Sequence, residues 1–248
     1  MINSKTCSMI GIDHGTTNSC AAIFRNGQIQ YIDNADSGLR NTPSVVHFPP
    51  NGGKPLVGDE ASEKLDSVHT YFGLFYVGPQ LYFSNSSDTI IDMKRLIAKD
   101  IGDPAVAQLS RFFSFSMSEP GPDGAPPHLL VHRKQPQAQL NHSSASSAST
   151  QLNQQQPLSI RPLEVCSQIL AKMVNSASLL LNNTSDLQST VEVNRAVIAV
   201  PAKFTTKQRA ETMQAARMVE KNKGSSAVGE KKLRDKLDKF NEERQKAK

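Results

Sequence analysis

Ile10-Gly11-Ile12-Asp13-His14-Gly15-Thr16-Thr17-Asn18-Ser19-Cys20 is the stretch whose reading decides the fold. Ser8 to Asp13 is a short apolar run that reaches a carboxylate, and it reads as a strand. His14 to Ser19 is a polar turn, and Cys20 to Phe24 resumes as a second strand. Asn26-Gly27 is a strong hairpin dipeptide, and Gln28-Ile29-Gln30-Tyr31-Ile32 alternates as a third strand. The opening is therefore an antiparallel meander around two tight turns. The chemistry sits in the first turn. Asp13 stands at a strand end, Gly15 permits a tight bend, and Thr16 and Thr17 add hydroxyls. Such a turn can present backbone N–H groups to phosphate oxygens. Asp13 can hold Mg2+ through water, because magnesium keeps several waters and takes one or two carboxylates. A plain hairpin with Asx-type capping fits the same residues. On spacing alone, both readings stay open.

Outside this stretch, composition mainly excludes. The chain has 248 residues, enough for one to two domains at roughly 150 residues each. Apolar residues make up 38%, so a core is possible but the figure is below the usual ~45–50%. Three cysteines without a close pair exclude a disulfide scaffold and a Cys-rich zinc site. The N-terminus has one lysine and a short apolar stretch, which is not a signal peptide pattern. The most apolar window, Tyr71 to Phe83, is broken by Gly73, Gly78 and Pro79 and is shorter than the ~20 residues a spanning helix needs. A soluble, reducing, cytoplasmic setting is expected, with no membrane span. The net charge of +5 is concentrated at one end. Residues 220–248 hold ten Lys/Arg against six Asp/Glu, while the other 219 residues hold 18 against 17. Acids and bases alternate in that end segment with little aromatic interleaving, so nucleic acid is not the expected partner.

Residues 1–66 read as folded, with Thr42 to Phe48 as a further extended run. Asp88 to Lys99 has helical spacing at Ile90, Ile91, Met93, Leu96 and Ile97, and Pro104 is expected to mark its end. Residues 119–157 are rich in Pro, Ser and Gln. Asn141 to Gln156 has one Leu and no charge, so it cannot offset its chain entropy and is expected to be a disordered loop. A helix follows Pro162, with apolar residues at 165, 166, 169, 170 and 173. Val191 to Val200 is a buried-type strand. Thr205 with Gln208 offers a capping box for a helix through Val219. Beyond Gly224 and Gly229, Leu233, Leu237 and Phe240 form a thin helical stripe.

The run from Ile10 to Cys20 resembles the first phosphate loop of the Hsp70 chaperone family. The resemblance continues in order. Thr42-Pro43-Ser44-Val45-Val46 and Leu56-Val57-Gly58 resemble the segments that follow. Asp88 to Ile97 resembles the helix that carries the family's catalytic lysine. Pro162 to Val165 with Leu170 to Met173 resembles a later helix. Ala196 to Phe204 with Gln208-Arg209 resembles the strand and helix around the family's switch proline. The matches cover roughly residues 8–66, 87–104 and 157–219. They imply an α/β fold: one lobe of an actin-like (ribonuclease H-like) ATPase, with a mixed sheet and flanking helices. By this resemblance Asp13, Gly15, Thr16, Thr17 and Asn18 would contact the phosphates of ATP or ADP, Asp13 would hold Mg2+ through water, and Lys94 would be catalytic. Pro201 and Arg209 would form the switch. Implied partners are unfolded client proteins and co-chaperones, namely J-domain proteins and nucleotide exchange factors.

The chain also departs from the family pattern. His14 replaces a usual Leu and puts a titratable ring beside the loop; a pH or metal role is one reading, and a tolerated exposed substitution is the expected one. Met213 replaces a usual basic residue. Residues 67–86 and 119–157 look like insertions in a partial nucleotide-binding domain over 1–219, followed by an unrelated, charged, helical tail over 220–248. The second phosphate loop and the adenosine segment are not found. Two functions therefore stand side by side: an ATP-dependent chaperone fragment, or a catalytically inactive lobe acting as an interaction module. A microsomal or endoplasmic reticulum branch is the alternative compartment, requiring a signal segment not seen here.

Overall fold

The computed structural model describes residues 7–49, 52–65, 88–110, 113, 115–117, 128–131, 158–183 and 192–222. The aromatic window 71–83, the tract 141–156 and the stripe at 233–240 lie outside the described residues.

Strands β1 (Cys7–Asp13), β2 (Asn18–Arg25) and β3 (Gln28–Ile32) form the expected antiparallel meander. Asn26 and Gly27 both take positive φ, 54° and 77°, as a tight hairpin turn between right-twisted strands demands. The extended run at 42–48 is split in two. Strand β4 (Thr42–Pro43) pairs with the start of β2, and β5 (Val46–His47) turns away into a second sheet. There β5 lies between β6 (Leu56–Val57) and a later strand, with the single turn α1 (Asp59–Ser62) following β6.

The helix expected across Asp88–Lys99 does not form. Thr89–Ile90 is instead strand β7, paired with β5 through Val46–Ile90 and His47–Thr89. The chain then makes a 3-10 turn over Met93–Arg95. Asp92 and Ala98 take left-handed φ of 59° and 54°, which no α-helix tolerates. The β-branched run Thr89-Ile90-Ile91 favours a strand, and strand plus turn bury Ile90, Met93, Leu96 and Ile97 as well as a helix would. The periodicity was a true burial signal with two backbone solutions. Pro104 likewise begins a helix, α2 (Pro104–Ser110), rather than ending one. Its fixed φ suits the first helical position, and Asp103 Oδ1 accepts the Ala105 N–H at 2.8 Å.

A third small sheet joins β8 (Ser116–Met117), β9 (Leu129–Val131) and β10 (Leu158–Ile160). Strand β9 falls inside the 119–157 tract, and Leu129 is fully buried, so that part of the tract belongs to the core. Helix α3 (Pro162–Asn183) starts as expected. Glu164 reaches back to the Arg161 N–H at 2.8 Å, closing the first turn. Val165, Cys166, Ile169, Leu170 and Met173 are all buried, as their spacing requires. Strand β11 (Glu192–Ala199) returns and pairs parallel with β1. Helix α4 (Thr206–Asn222) follows, and its capping box is present: Gln208 N–H to Thr205 Oγ1 at 3.2 Å and Thr205 N–H to Gln208 Oε1 at 3.0 Å.

The main sheet has the order β11-β1-β2-β3 and is mixed. Its inner face carries Ile10, Ile12, Ala21, Ile23, Ile32 and Val193 into one core with α3. The other face carries Met9, Phe24, Ile29, Tyr31 and Val197, all exposed.

The left-handed Ala98 gives a test of the corrected segment. In a helix, Ala98→Gly would cost about 1 kcal/mol. At φ 54° it instead relieves a penalty of about 1–2 kcal/mol against a smaller entropic loss. Urea unfolding is expected to show Ala98→Gly more stable than the parent by about 0.5–1 kcal/mol. A loss of stability would restore the helix.

Candidate functional site

Strand β1 ends at Asp13 and β2 begins at Asn18, so residues 14–17 form the turn. Asp13, Thr17 and Asn18 are exposed, and Gly15 and Thr16 are half-buried. A Cβ at Gly15 would lie 1.9 Å from the Asn18 carbonyl oxygen, so no other residue fits the bend. The turn is also tied from below. Ser44, just after β4, donates its N–H to the Thr17 carbonyl at 2.8 Å and its hydroxyl to the Gly15 carbonyl at 3.0 Å.

That second bond orients a relay. The Ser44 hydroxyl has one proton and gives it to Gly15, so its oxygen accepts from Ser19 Oγ at 2.9 Å. Ser19 Oγ then accepts from His14 Nδ1 at 3.1 Å. His14 Nδ1 therefore carries the proton and Nε2 is a bare lone pair, with no partner among the described residues. His14 was expected to be an exposed substitution. It is 2% exposed, because the ring turns inward under the loop. Burial, reinforced by the neighbouring Lys94 charge, lowers its pKa to about 4.

Lys94, on the 3-10 turn, reaches the same loop from 80 residues away. Its ammonium donates to the His14 carbonyl oxygen. The ammonium also lies 5.8 Å from the centre of the Phe204 ring, within cation–π range. Burial pulls the Lys94 pKa below its ordinary value, while the Asp13 carboxylate pulls the other way. Phe204 closes the turn after β11, donating its N–H to the Pro201 carbonyl at 3.0 Å. Arg209 caps that turn: its guanidinium donates to Pro201, Ala202 and Phe204 carbonyls at 3.5, 3.1 and 3.2 Å. Asp13 pairs in register with Ala199, so the capped turn begins beside the loop. The structure thus gathers Asp13, Gly15, Thr16, Thr17, Asn18 and Lys94 at one end of the sheet. Phe204 links them to Pro201 and Arg209. Met213 is exposed and offers its sulfur to Arg217 at 3.5 Å.

This loop, with a lysine delivered to it from a distant turn, sits inside a family match. The Hsp70 protein family model matches residues 9–222. The chain belongs to the Hsp70 family. It is similar to heat shock 70 kDa protein BIP3 of Oryza sativa subsp. japonica, at 31% identity over 84% of this chain and 24% of the relative. It is 31% identical to the heat shock 70 kDa protein of Ajellomyces capsulatus, over 83% of this chain and 22% of the relative. It is 32% identical to heat shock 70 kDa protein 2 of Paracoccidioides lutzii, over 83% and 24%. The chain therefore spans about a quarter of the length of these Hsp70 relatives. The match falls in the family's N-terminal nucleotide-binding region, and the mixed sheet with flanking helices is the α/β architecture of its actin-like lobe.

The roles of three residues of this candidate site were not visible in the sequence. Ser19 and Ser44 shape the loop, and Phe204 bridges Lys94 to the capped turn. Only the pairing of β2 with β4, a contact without a sequence pattern, puts Ser19 beside Ser44. Glu211 was missed too; its carboxylate accepts the Ala98 N–H at 2.8 Å and anchors α4 under the lysine turn.

His14 sets a pH dependence. The unfolded imidazole titrates near 6.5 and the folded one near 4, so between them the unfolded chain binds more protons. Stability is then full above about pH 6.5 and falls as the pH drops toward 4. Between pH 7.5 and 5 the parent should lose about 2 kcal/mol more than His14→Leu, read by urea unfolding at each pH. Parallel profiles would show that His14 is not held neutral by the fold.

Proposed function

We propose that the 13–18 loop and Lys94 hold the phosphate end of ATP or ADP with Mg2+, in a protein that acts as an ATP-driven chaperone. The observation that carries this reading is the cradle at Gly15. A bend closed to any side chain is held from below by Ser44, and a cation is delivered to its backbone. The residues fit the group. Exposed Asp13 supplies a carboxylate for water-held Mg2+. Thr16, Thr17, Asn18 and the turn supply hydroxyl, amide and N–H donors. Lys94 supplies positive charge, and its half-buried setting makes that charge act through less water. The nucleotide brings the phosphoanhydride, and the metal neutralises charge on its oxygens. The residues here orient the phosphates and stabilise charge on them.

Pro201 and Arg209 carry the switch role in this proposal. The Arg209 guanidinium binds the carbonyls on both sides of the 201–204 turn, and Phe204 in that turn faces Lys94. A shift of Lys94 toward a phosphate would therefore be felt at the turn. Client proteins, J-domain proteins and exchange factors are the partners this function implies, and the cytoplasm its compartment. No described helix is long and apolar enough to cross a membrane.

Equilibrium dialysis of the 248-residue chain with labelled ATP and Mg2+ tests the reading. Saturable binding is expected, abolished in Gly15→Ala and weakened at least about tenfold in Lys94→Ala, a change of about 1.4 kcal/mol. Ligand at 100 times its Kd should also raise the unfolding free energy by about 2.7 kcal/mol. A folded circular dichroism spectrum with no binding would favour an inactive lobe that serves as an interaction module.

A further inference from the structure

The Lys94 ammonium is tied to the loop, but the backbone that carries it is held elsewhere. Within the lysine turn the local bonds all span three residues: the N–H groups of Arg95, Leu96 and Lys99 go to Asp92, Met93 and Leu96 carbonyls at 2.9, 3.0 and 3.1 Å. Bonds of this span have poorer geometry than those of an α-helix. Burial of Ile90, Met93, Leu96 and Ile97 holds the segment down, but burial is non-directional and does not aim the lysine. The directional tie comes from α4. Ala98 is four residues beyond Lys94, and its left-handed conformation turns its N–H out of the local bonds to Glu211 Oε2 at 2.8 Å. A backbone donor on a carboxylate is a charge-assisted bond, roughly twice as strong as a neutral one. The Ile97 carbonyl accepts a longer bond from Gln208 Nε2, at 3.5 Å. Gln208 and Glu211 are three residues apart, so they leave the same face of α4. Gln208 is itself held by the capping box through its Oε1. Lys207 adds an ion pair to Asp100 at 2.9 Å, but both partners are more than half exposed, and such pairs contribute little. Burial pushes the Cys166 thiol of α3 up to about 12, with Lys94 lowering its pKa and Glu211 raising it. The ammonium and the carboxylate thus lie near the same buried atom.

We propose that Glu211 is a positioning residue for Lys94: by holding the Ala98 N–H it fixes the lysine turn on α4 and so aims the ammonium at the 13–18 loop. The consequence for nucleotide rests on the phosphate-site reading above, whereas the aiming of Lys94 does not. Arg209, which caps the 201–204 turn, stands two residues before Glu211 on the same helix. The lysine turn and the capped turn are therefore both fastened to the first turns of α4. A movement of that helix end carries Lys94 and Phe204 together, which keeps the ring beside the ammonium. Glu211 acts through Lys94, by the reach of its side chain to one backbone donor.

The experiment compares the full chain with Glu211→Ala, Glu211→Gln and Lys207→Ala. Alanine is the best helix former, so α4 is not weakened by propensity, and the methyl resonances of Ile90 and Leu170 report an intact core. Should Glu211→Ala lose those signals, Glu211→Asp, one methylene shorter, replaces it with the same expectations. Glutamine keeps the reach and an acceptor oxygen. The first readout needs no nucleotide. The ε-methylene resonance of Lys94, assigned by its loss in Lys94→Ala, is shifted by the Phe204 ring. In Glu211→Ala it should move toward the position of an exposed lysine, and the Ala98 amide should exchange about ten times faster. Glu211→Gln and Lys207→Ala should stay with the parent in both. The second readout is the Kd for ATP with Mg2+. Glu211→Ala should weaken binding about fivefold, glutamine should restore it to within about twofold, and Glu211→Ala should cost nothing further in a Lys94→Ala background. An unmoved Lys94 resonance in Glu211→Ala overturns the proposal. So does a further loss of about fivefold in the absence of Lys94, because Glu211 would then act through the fold at large. A moved resonance in a chain whose parent binds no ATP upholds the positioning role and overturns the phosphate-site reading instead.

Discussion

The parallel pairing of β1 with β11 is the constraint on which the rest depends. Seven register pairs, Cys7–Glu192 through Asp13–Ala199, join chain segments that the sequence separates by more than half its length. They do so with one irregularity, between Ser8 and Met9. Parallel strands need a crossover between them, and here the crossover delivers α3 onto the inner sheet face. The same pairing brings the end of β1 level with the end of β11. Every functional candidate lies beyond those two ends. Without the pairing, the loop at 14–17 and the turn at 201–204 would have no fixed relation, and Lys94 would have no Phe204 beside it.

The loop itself is held by polar contacts, and their order matters. Gly15 gives the bend its shape because the Asn18 carbonyl occupies the space a side chain would take. Ser44 then fixes two carbonyls of the loop with its N–H and hydroxyl. These bonds turn the loop carbonyls inward, away from any anion at the exposed surface. Lys94 takes the His14 carbonyl in the same inward direction. With the His14, Gly15 and Thr17 carbonyls held from below, the loop has its donors and Asp13 to present outward. That is the polarity a metal-bound phosphate requires, and it is reached before any ligand binds.

Much of this was legible in the sequence, for identifiable reasons. The meander could be read because alternation and Asn26-Gly27 are local signals. Helices α3 and α4 could be read because Pro162, Glu164, Thr205 and Gln208 act within one turn. The segment 88–99 was misread because burial of Ile90, Met93, Leu96 and Ile97 is compatible with either backbone. The left-handed Asp92 and Ala98 leave no mark in hydrophobic spacing. Strand β9 was hidden because three apolar residues in a Pro- and Gln-rich tract carry no period. Asp13, Gly15, Thr16 and Thr17 could be named from the chemistry of the turn, beside an equally open hairpin reading, whereas Asn18 and Lys94 were named only through the family resemblance. The relay from His14 to Ser19 to Ser44 could not be, since it depends on β4 folding back onto β2.

His14 shows what a single departure from the family pattern does physically. A leucine at this position would need no partner. The imidazole keeps the apolar burial but adds two nitrogens, of which the relay satisfies one. The second cannot accept a proton without placing an N–H and a charge in a buried site. Lys94, bonded to the carbonyl of the same residue, opposes that charge again. The neutral ring with its proton on Nδ1 is therefore the state that keeps every bond of the relay. Had the proton moved to Nε2, Ser19 would have to donate to Nδ1 and would lose its bond to Ser44. Ser44 would still hold Gly15, but the tie between β2 and the loop floor would be broken. One tautomer at one residue thus connects the hydrogen-bond order of the loop to the sheet beneath it.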